Sequence, residues 1–372
     1  MKKFIIVSSF ILLVSFRSDA HDHYKHQRTI SFPDIPGYTT LKVDLHQHTV
    51  FSDGDVWPNI RVEEALKDGL DAISLTEHLE YQPHKGDIPH PDRNRTFVLA
   101  TNSAKNKPLI VINGSEITRK MPPGHSNAIF LTDATKMLIP DSIEVFREAK
   151  RQGAFTFWNH PHWSGQRMDG SAQLTDMHKF LLKEKLLDGI EVVNDLSYSD
   201  EALQIGLDNN LTLIGSSDIH GLIDWNYDVP EGGHRPITLV FAKEKTEASL
   251  KEALLNKRTV VWFNNTLIGR EEFLVPLINS SLTLEGTKYY GKTSILTVKM
   301  RNSSSTEYIL ENNSEYLFYD NTNIITLKAN SVTTIEVKVM QNLPELQLKF
   351  KVLSAVTAPK THPSITIPVT VK

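Results

Sequence analysis

Short apolar runs alternate with helical patterns through the first two thirds of the chain. The runs are rich in β-branched and large apolar residues, which is typical of buried strands, and they begin near residues 42, 72, 109, 127, 155, 190, 212 and 237. Helical periodicity follows several of them, over residues 59–69, 141–153, 200–210 and 246–257. This alternation predicts parallel strands with right-handed crossovers, and therefore an α/β fold. We expect a distorted (β/α)7–8 TIM-like barrel over residues 41–265.

The pattern changes near residue 265. Beyond it the helical periods vanish, and segments such as KTSILTVKMRNSS and VTTIEVKVM alternate apolar with polar residues between Asn and Ser turns. Residues 266–372 are thus predicted to form a small all-β sandwich. This segment contains one histidine, His362. We expect it to pack against or orient the barrel, with a ligand-binding module as the alternative.

The N-terminus has the pattern of a secretion signal. MKK precedes an apolar run of 13 residues and then Ser18-Asp19-Ala20, which predicts a signal peptide over residues 1–20 with cleavage after Ala20. The run is short for a membrane span, although an uncleaved anchor is the alternative. Residues 21–40 are predicted to precede the barrel, and HDHYKH at 21–26 is interpreted as a solvated tail rather than a loose metal site. We expect no membrane span after signal removal.

Composition narrows the choice of compartment and partner. The chain has 372 residues, of which 40% are hydrophobic, so it can bury a sizeable core. Its 40 basic and 44 acidic residues give a net charge of -4, which argues against general nucleic-acid binding. No cysteine is present, so no disulfide framework exists; together with export this favours a bacterial periplasm. The sequence does not indicate an oligomeric state.

Histidines and acids gather where the predicted strands end. In DLHQHT, His46 and His48 are two residues apart on a strand, so their imidazoles face the same side and can bind one cation. One such pair is weak evidence, because a histidine at a strand end often binds a nearby carbonyl. Seven further residues occupy comparable positions or the turn after the first strand. The complete candidate set is His46, His48, Asp53, His78, Glu116, His125, His160, Asp218 and His220.

These side chains favour a hydrolytic metal centre. Imidazoles and carboxylates without a thiolate suit two to three divalent ions such as Zn, Mn or Fe. Neighbouring ions lower the pKa of a shared water towards about 7 and bind the oxygens of a phosphoryl group during in-line displacement. A hydroxide that bridges the ions would then be the nucleophile, and no serine or cysteine is required. We assign no further catalytic residue.

The order of these motifs resembles that of a known family. HxH, Asp, a strand-end His, Glu, GHxN, His-Pro and DxH follow one another as in the polymerase and histidinol phosphatase (PHP) superfamily of metal-dependent phosphoesterases, over about residues 40–265. With its predicted signal and trailing β-domain, the chain is similar to the exported, phosphodiesterase-like bacterial branch.

The resemblance implies three metal positions. The first ion would be held by His46, His48, Glu116 and Asp218, the second by Glu116, His125 and His160, and the third by Asp53, His78 and His220. Glu116 would bridge the first two. Glu77 precedes His78 where the family more often has Asp, and we expect it to point away from the ions and to support them.

Substrate contacts are less firmly indicated. Arg119 and Arg235 lie close to ligand motifs and are candidates for bidentate binding of phosphate, with a plain surface arginine as the alternative. His162, in NHPHW, is a weaker candidate for a substrate contact. Each of Trp57, Trp163 and Trp225 lies within a few residues of a ligand motif, where we expect burial; the alternative is that they line a pocket or stack on a base.

The sequence therefore predicts an exported, metal-dependent phosphoric ester hydrolase that acts on a small phosphate ester, most simply a phosphodiesterase. Three alternatives remain open. The first is a phosphomonoesterase of the same family. The second is an amidohydrolase-like enzyme for C–N or carboxylic esters, although such sites usually bridge their metals through a modified lysine where this chain has Glu116. The third is a non-catalytic binding protein, which loss of several ligands would have favoured.

Overall fold

The computed structural model describes residues 28–371, so the predicted signal peptide and the HDHYKH segment lie outside the described residues. The strands are β1 Thr39–Asp44, β2 Ala72–Leu75, β3 Ile110–Ile117, β4 Ser126–Ile129, β5 Phe155–Trp158, β6 Gly189–Asn194, β7 Ser197–Tyr198, β8 Thr212–Ser216, β9 Ile237–Ala242, β10 Thr259–Phe263, β11 Thr266–Gly269, β12 Leu282–Tyr289, β13 Ile295–Asn302, β14 Tyr308–Asn312, β15 Leu317–Phe318, β16 Ile324–Leu327, β17 Ser331–Lys338, β18 Glu345–Val352, β19 Ala355–Val356 and β20 Ser364–Thr370. The helices are α1 Pro58–Asp68, α2 Arg95–Ala104, α3 Glu144–Arg151, α4 Asp176–Lys183, α5 Asp200–Asp208, α6 Ile223–Asn226, α7 Glu247–Leu255 and α8 Glu271–Ser281.

A curled α/β sheet forms the first unit and confirms the predicted barrel-like fold. Its hydrogen-bonded order is β19-β11-β10-β9-β1-β2-β3-β4-β5-β6, with β7 and β8 both paired to β6. All eight predicted strands are present, and the four predicted helical segments correspond to α1, α3, α5 and α7. Helices α2, α4 and α6 were not predicted.

The sheet is mixed, so the expectation of parallel strands throughout is wrong. The neighbours β1-β2-β3 and β5-β6-β8 are parallel, whereas β4 is antiparallel to both β3 and β5. Strand β9 is antiparallel to β1 and to β10. The reason at β4 is connection length: residues 118–125 between β3 and β4 are too few for a crossover helix and allow only a hairpin-like return.

Residues after β1 and β8 close the curled sheet on its ligand-bearing side. Gln47 forms an isolated parallel bridge with Ile219, and the hydroxyl of Thr238 on β9 exchanges hydrogen bonds with the backbone of Gly215 on β8. A Cβ atom at Gly215 would collide with Val261 of β10, so only glycine permits this approach. The first and last ligand motifs of the chain are thereby brought side by side.

The second unit consists of two four-stranded antiparallel sheets, in the orders β12-β13-β17-β15 and β16-β14-β18-β20. Their strands alternate buried and exposed residues, as in ELQLKFKV of β18. The predicted all-β fold is confirmed. The expectation that helices end at residue 265 is wrong, because residues 271–281 form α8; Pro276 inside this helix conceals its period.

The two units share one apolar core. Leu239 and Trp262 of the barrel, Leu274 of α8, and Val298 and Tyr308 of the sandwich belong to the same buried cluster. Strand β19 leaves the sandwich to pair with β11 at the edge of the barrel sheet. Within residues 28–371, no helix is long and apolar enough to cross a membrane.

Candidate metal centre

The nine predicted ligands converge at one face of the curled sheet, because most of them follow the carboxyl ends of its strands. His46 and His48 follow β1, His78 follows β2, and His160 follows β5. Glu116 lies near the end of β3, His125 immediately precedes the antiparallel β4, and the Asp218 and His220 pair follows β8. Asp53 comes from the turn after His48. Strand geometry alone therefore brings together ligands that are up to 174 positions apart in the sequence.

The first predicted ligand group is compact and buried. Nε2 of His46 and Nε2 of His48 are 3.1 Å apart, and they lie 3.0 and 3.1 Å from Oδ1 of Asp218. Glu116 approaches both imidazoles, with Oε1 3.7 Å from His46 Nε2 and Oε2 3.6 Å from His48 Nε2. Each of these four side chains thus directs a ligand atom to a common point.

The second and third groups surround the first. Oε1 of Glu116 lies 3.1 Å from Nδ1 of His125 and 3.5 Å from Nε2 of His160. The carboxylate of Asp53 lies 3.3 Å from Nε2 of His78 and 3.2 Å from Nε2 of His220. Two residues also contact a neighbouring group: Nδ1 of His78 is 2.5 Å from Glu116, and Nδ1 of His48 is 3.6 Å from Asp53. The groups form one continuous cluster.

Unpaired ligand atoms show that this cluster fits metal ions. Asp53 Oδ1, Glu116 Oε2 and His125 Nδ1 are buried and have neighbouring imidazoles or carboxylates within 2.5–3.6 Å, but none of the three has a hydrogen bond of suitable geometry. Buried polar atoms are normally paired, since an unpaired one costs about 1–3 kcal/mol. Three sets within the cluster bring their ligand atoms within 4.8 Å of one another, namely His48, Asp53, His78 and His220; His46, His48 and Glu116; and His78, Glu116 and His125. These sets suit divalent ions.

The charges of the acids agree with this interpretation. Although burial opposes ionisation, His78 and His125 hold the pKa of Glu116 well below its ordinary value. Burial also opposes ionisation of Asp218, but the neighbouring imidazoles of His46 and His48 lower the pKa of its carboxyl group. The acids are therefore ionised and are available as ligands at neutral pH.

The two imidazoles of the HxH motif titrate in opposite directions. Burial alone would lower the pKa of His46, but Asp218 and Glu191 raise it to about 10. Burial and the neighbouring His78 lower the pKa of His48 to about 3. The difference arises because Glu191 contacts His46, whereas the imidazoles of His78 and His220 lie beside His48.

Glu191 is a supporting residue that sequence analysis missed. This fully buried carboxylate of β6 lies 2.8 Å from Nδ1 of His46 and accepts the backbone N–H of His160 at 2.7 Å. It also accepts hydrogen bonds from Asn194 and Ser216. By fixing His46 at Nδ1, it leaves Nε2 facing the other ligands. The available signal was an acid inside the apolar run GIEVVN.

Glu77 supports the other imidazole of the HxH motif. Its buried carboxylate accepts hydrogen bonds from the hydroxyl of Ser52, at 2.5 Å, and from the backbone and hydroxyl of Thr49. The Ser52 hydroxyl in turn lies 3.1 Å from Nδ1 of His48. Glu77 thus points away from the ligand atoms, as its position before His78 predicted.

Arg61 of α1 is a second residue that was missed. Its buried guanidinium donates to the backbone carbonyls of His48 at 3.0 Å, Ile219 at 3.1 Å and His220 at 2.9 Å. Glu64 neutralises it at 2.8 Å. Arg61 therefore ties the first ligand motif to the last, and nothing in the helical pattern of residues 59–69 distinguishes it from a surface arginine.

The residues predicted to contact substrate are engaged elsewhere. Arg235 is buried between Asp44 and Asp68, with Nη atoms 3.2 and 2.7 Å from their carboxylates, so it is not accessible to phosphate. Arg119 pairs with Glu80 and donates to the carbonyl of Ile139 at 2.7 Å. Burial excludes the predicted phosphate contact for Arg235, because sequence proximity to a ligand does not fix side-chain direction, whereas phosphate binding by Arg119 stays a prediction.

The remaining weaker candidates lie closer to the solvent. Nε2 of His162 is 2.8 Å from the Ser197 hydroxyl, and burial lowers the pKa of this half-buried histidine. Trp57, Trp163 and Trp225 are all exposed, so the expectation of burial is wrong for each of them.

A curled α/β sheet with a cluster of imidazoles and carboxylates at its strand ends defines a metal-dependent hydrolase. Comparison of structures then gives the family. The chain is 42% identical, with a TM-score of 0.85, to a two-domain protein from Bacteroides vulgatus containing a predicted PHP-like metal-dependent phosphoesterase; the match covers 92% of this chain and 98% of that one. The chain therefore belongs to the PHP-like metal-dependent phosphoesterases, as its motifs predicted.

Other comparisons bear on parts of the chain. Residues 282–368 match a family model of an Ig-like domain. PsfC from Pseudomonas syringae is 17% identical with a TM-score of 0.43, covering 65% of this chain and 96% of that one. A lesion-specific endonuclease from Pyrococcus furiosus is 14% identical with a TM-score of 0.41, and the match covers 69% of this chain and 64% of that one. Likenesses this slight add nothing to the assignment. No curated protein matches the chain.

Proposed function

We propose that the protein is a phosphodiesterase with a trinuclear metal centre. The observation that carries this proposal is the convergence of all nine predicted ligands in one continuous cluster that contains the buried Glu116, in a chain of phosphoesterase descent. His46, His48, Glu116 and Asp218 would hold the first ion. The second would be held by Glu116, His125 and His160, and the third by Asp53, His78 and His220.

The protein's own residues keep these ligands in position. Divalent ions bound there would supply a water-derived nucleophile and offset the charge of the phosphoryl group. Glu191 and Glu77 orient the imidazoles of His46 and His48, while Arg61 fixes the backbone that carries His48 and His220. Asn159 donates to Oε1 of Glu116 at 2.8 Å, which sets the plane of the carboxylate shared by two ion sites.

A diester is the favoured substrate because of the charge that the site must neutralise. A phosphomonoester carries up to two negative charges at neutral pH, whereas a diester carries one. Both arginines that the sequence placed near the site are already paired with acids, Arg119 with Glu80 and Arg235 with Asp44 and Asp68. Neither supplies the additional positive charge that a monoester would use.

The test compares bis(p-nitrophenyl) phosphate with p-nitrophenyl phosphate after reconstitution with Zn, Mn or Fe. We expect higher kcat/KM for the diester and about two to three metal equivalents per chain by elemental analysis. Glu116→Gln and Asp218→Asn should abolish turnover, because each removes a negative ligand shared by several imidazoles. Glu184→Gln, at an exposed position, is the control. Turnover of the monoester alone would identify a phosphomonoesterase, and well under two metal equivalents would refute the trinuclear centre.

We further propose that the mature protein is exported to the periplasm, where it acts on a small phosphate ester. The support is the signal-like pattern of residues 1–20 and the lack of cysteine. N-terminal sequencing of protein recovered from a periplasmic extract should begin at His21. Recovery of the chain with its N-terminus intact, in the membrane fraction, would indicate an anchor instead.

A further inference from the structure

The five tryptophans divide into a buried and an exposed group. Trp158 on β5 and Trp262 on β10 are 0% and 2% exposed. The three that follow ligand motifs, Trp57, Trp163 and Trp225, are 49%, 47% and 78% exposed. An indole has a large apolar surface, and leaving it in water forgoes the stabilisation that burial would give. Tryptophans that remain exposed beside a reactive site are therefore candidates for contact with a ligand.

Trp163 is the one of these three that directly adjoins the ligand cluster. Its ring centroid lies 5.2 Å from that of His160 and 5.7 Å from that of His125, both of which belong to the proposed second ion site. A phosphate ester bound at this site would place its organic group within a few ångströms of the indole. The exposed part of Trp163 is thus next to the position where a substituent of the substrate must lie.

The local backbone holds the Trp163 indole in place. The Trp163 N–H donates to the carbonyl of His160 at 2.9 Å, and the Trp163 carbonyl accepts from Gln166 at 3.0 Å and Arg167 at 2.9 Å. The ring packs against Gly165, where a Cβ atom would lie only 2.5–2.8 Å from three indole atoms. Because glycine has no side chain, the indole can lie flat against this turn. The exposed ring is therefore positioned before any ligand binds, which lowers the entropy cost of binding.

Tyr81 provides a second exposed aromatic ring at the cluster. It is 52% exposed, and its centroid lies 5.8 Å from that of His78 in the proposed third ion site. His78 and His125 are themselves 5.5 Å apart, so Tyr81 and Trp163 contact adjacent ligands. Aromatic contact is thus available from two parts of the cluster.

We propose that Trp163 is the stacking platform for a planar aromatic group of the substrate, with Tyr81 as an additional contact. The substrate class is then a phosphate ester that carries an aryl group or a nucleobase close to phosphorus. This inference rests on the proposed function, because it assumes that the phosphoryl group binds at the ions. Face-to-face contact with an aromatic ring favours planar π systems over saturated groups of similar size.

The test uses phosphinates, which carry one negative charge like a diester and whose P–C bonds are not cleaved by phosphoester hydrolysis. Dimethyl-, cyclohexyl(methyl)- and methyl(phenyl)phosphinate share the CH3–PO2 group and differ only in the second substituent. Their Kd values for the metal-loaded full chain would be measured by isothermal titration calorimetry. We expect the phenyl compound to bind roughly fivefold or more tightly than the other two. Equal Kd values for the phenyl and cyclohexyl compounds, or no binding of any phosphinate, would overturn the proposal.

Variants assign the preference to Trp163. Trp163→Ala should remove the preference for methyl(phenyl)phosphinate and leave the Kd of dimethylphosphinate unchanged, and Trp163→Phe should retain most of the preference. Gly165→Ala keeps the indole but displaces it, so it should also weaken binding of the phenyl compound. Tyr290→Ala, at an exposed aromatic position of the sandwich, is the matched control. A phenyl preference that persists in Trp163→Ala would refute the role of this residue.

The binding experiment and the hydrolysis assay have distinguishable outcomes. If bis(p-nitrophenyl) phosphate is not hydrolysed but the Trp163-dependent preference is observed, the proposed reaction is wrong and the aromatic subsite stands. If hydrolysis occurs without that preference, the reaction stands and the subsite is rejected.

Discussion

Individual side chains that hydrogen-bond to the metal ligands fix the orientation of those ligands. Glu191 contacts an imidazole and the backbone of a second ligand residue, and four donors satisfy its carboxylate. A carboxylate with this many partners is held rigidly, and so is the ring that it contacts. Residues of this kind commonly change metal affinity by one to two orders of magnitude when they are altered.

The first prediction concerns Glu191. Glu191→Gln keeps the shape but replaces one carboxylate oxygen by an NH2 group that faces other donors, so His46 loses its fixed orientation. We expect metal affinity to fall about 10- to 100-fold, as measured by chelator competition. The exposed Glu184→Gln is the control. An unchanged affinity would mean that the Glu191 contact does not position His46.

The second prediction separates two roles for Arg235. Since Arg235 neutralises the buried Asp44 and Asp68, Arg235→Met should lower the free energy of unfolding by about 3–5 kcal/mol in urea titrations. The matched control, Arg147→Met at the surface of α3, should lower the free energy of unfolding by no more than about 1 kcal/mol. If Arg235 bound phosphate instead, the variant would keep its stability and show a raised KM.

Among the secondary structure elements, α4 illustrates how a helix supports the site without contributing a ligand. His178 in its first turn is buried, stacks on Trp158 of β5 at 3.9 Å, and donates from Nε2 to the carbonyl of Pro123 at 2.7 Å. Its Nδ1 accepts the N–H of Thr175 at 3.2 Å. The helix is thereby tied to the loop that precedes His125, and the contact requires a neutral imidazole.

The third prediction is a pH dependence of stability that arises from His178. Burial lowers the pKa of His178 to about 4 in the folded protein, whereas an unfolded histidine titrates near about 6.5. As the pH falls, the histidine is protonated in the unfolded chain before it is protonated in the folded protein. The contribution of neutral His178 to the free energy of unfolding is therefore complete above pH about 6.5 and is lost as the pH falls towards about 4.

Urea unfolding of metal-free protein at pH about 7.5 and about 5 would measure this effect. Between these pH values, the free energy of unfolding of His178→Gln should fall by about 2 kcal/mol less than that of the wild type. Chelator in all samples removes the separate effect of metal release. An identical loss in both proteins would show that His178 does not titrate as its burial indicates.

We expect the whole molecule to unfold as one cooperative unit, because its core crosses the boundary between barrel and sandwich. Apolar residues of β9, α8 and β13 belong to a single buried cluster, and β19 completes the edge of the barrel sheet. Removing the sandwich would expose this cluster and leave the outer edge of β11 without its partner strand, although β11 stays paired with β10. The Ig-like domain is therefore part of the support for the barrel.

The fourth prediction follows from this shared core. All five tryptophans precede residue 282, and four of them lie outside the shared core, so tryptophan fluorescence reports mainly unfolding of the barrel, whereas far-UV circular dichroism reports both units. The two signals should change at the same urea concentration in a single transition. A chain truncated after residue 281 should be far less stable than the full chain or fail to fold. Two separated transitions would contradict the prediction.

Much of the site could be predicted because strand periodicity and strand ends are local properties. His46 and His48 share a face through their spacing, and Glu116 and Asp218 are polar residues at the ends of apolar runs. Glu191 and Arg61 could not be assigned roles, since what they contact depends on residues 145 and more than 150 positions away. The antiparallel β4 was also missed, because the apolar pattern of a strand does not record its direction.

By itself, the sequence determined the positions of eight barrel strands, the β-rich second unit, the nine ligand candidates and the family to which they belong. Each of these depends on residue type and spacing along the chain. Only the tertiary structure decided that Arg235 is a buried ion-pair partner, that Glu191 contacts Nδ1 of His46, and that Trp163 is exposed beside the ligand cluster. Burial and side-chain direction arise from packing between distant segments, and no local pattern encodes them.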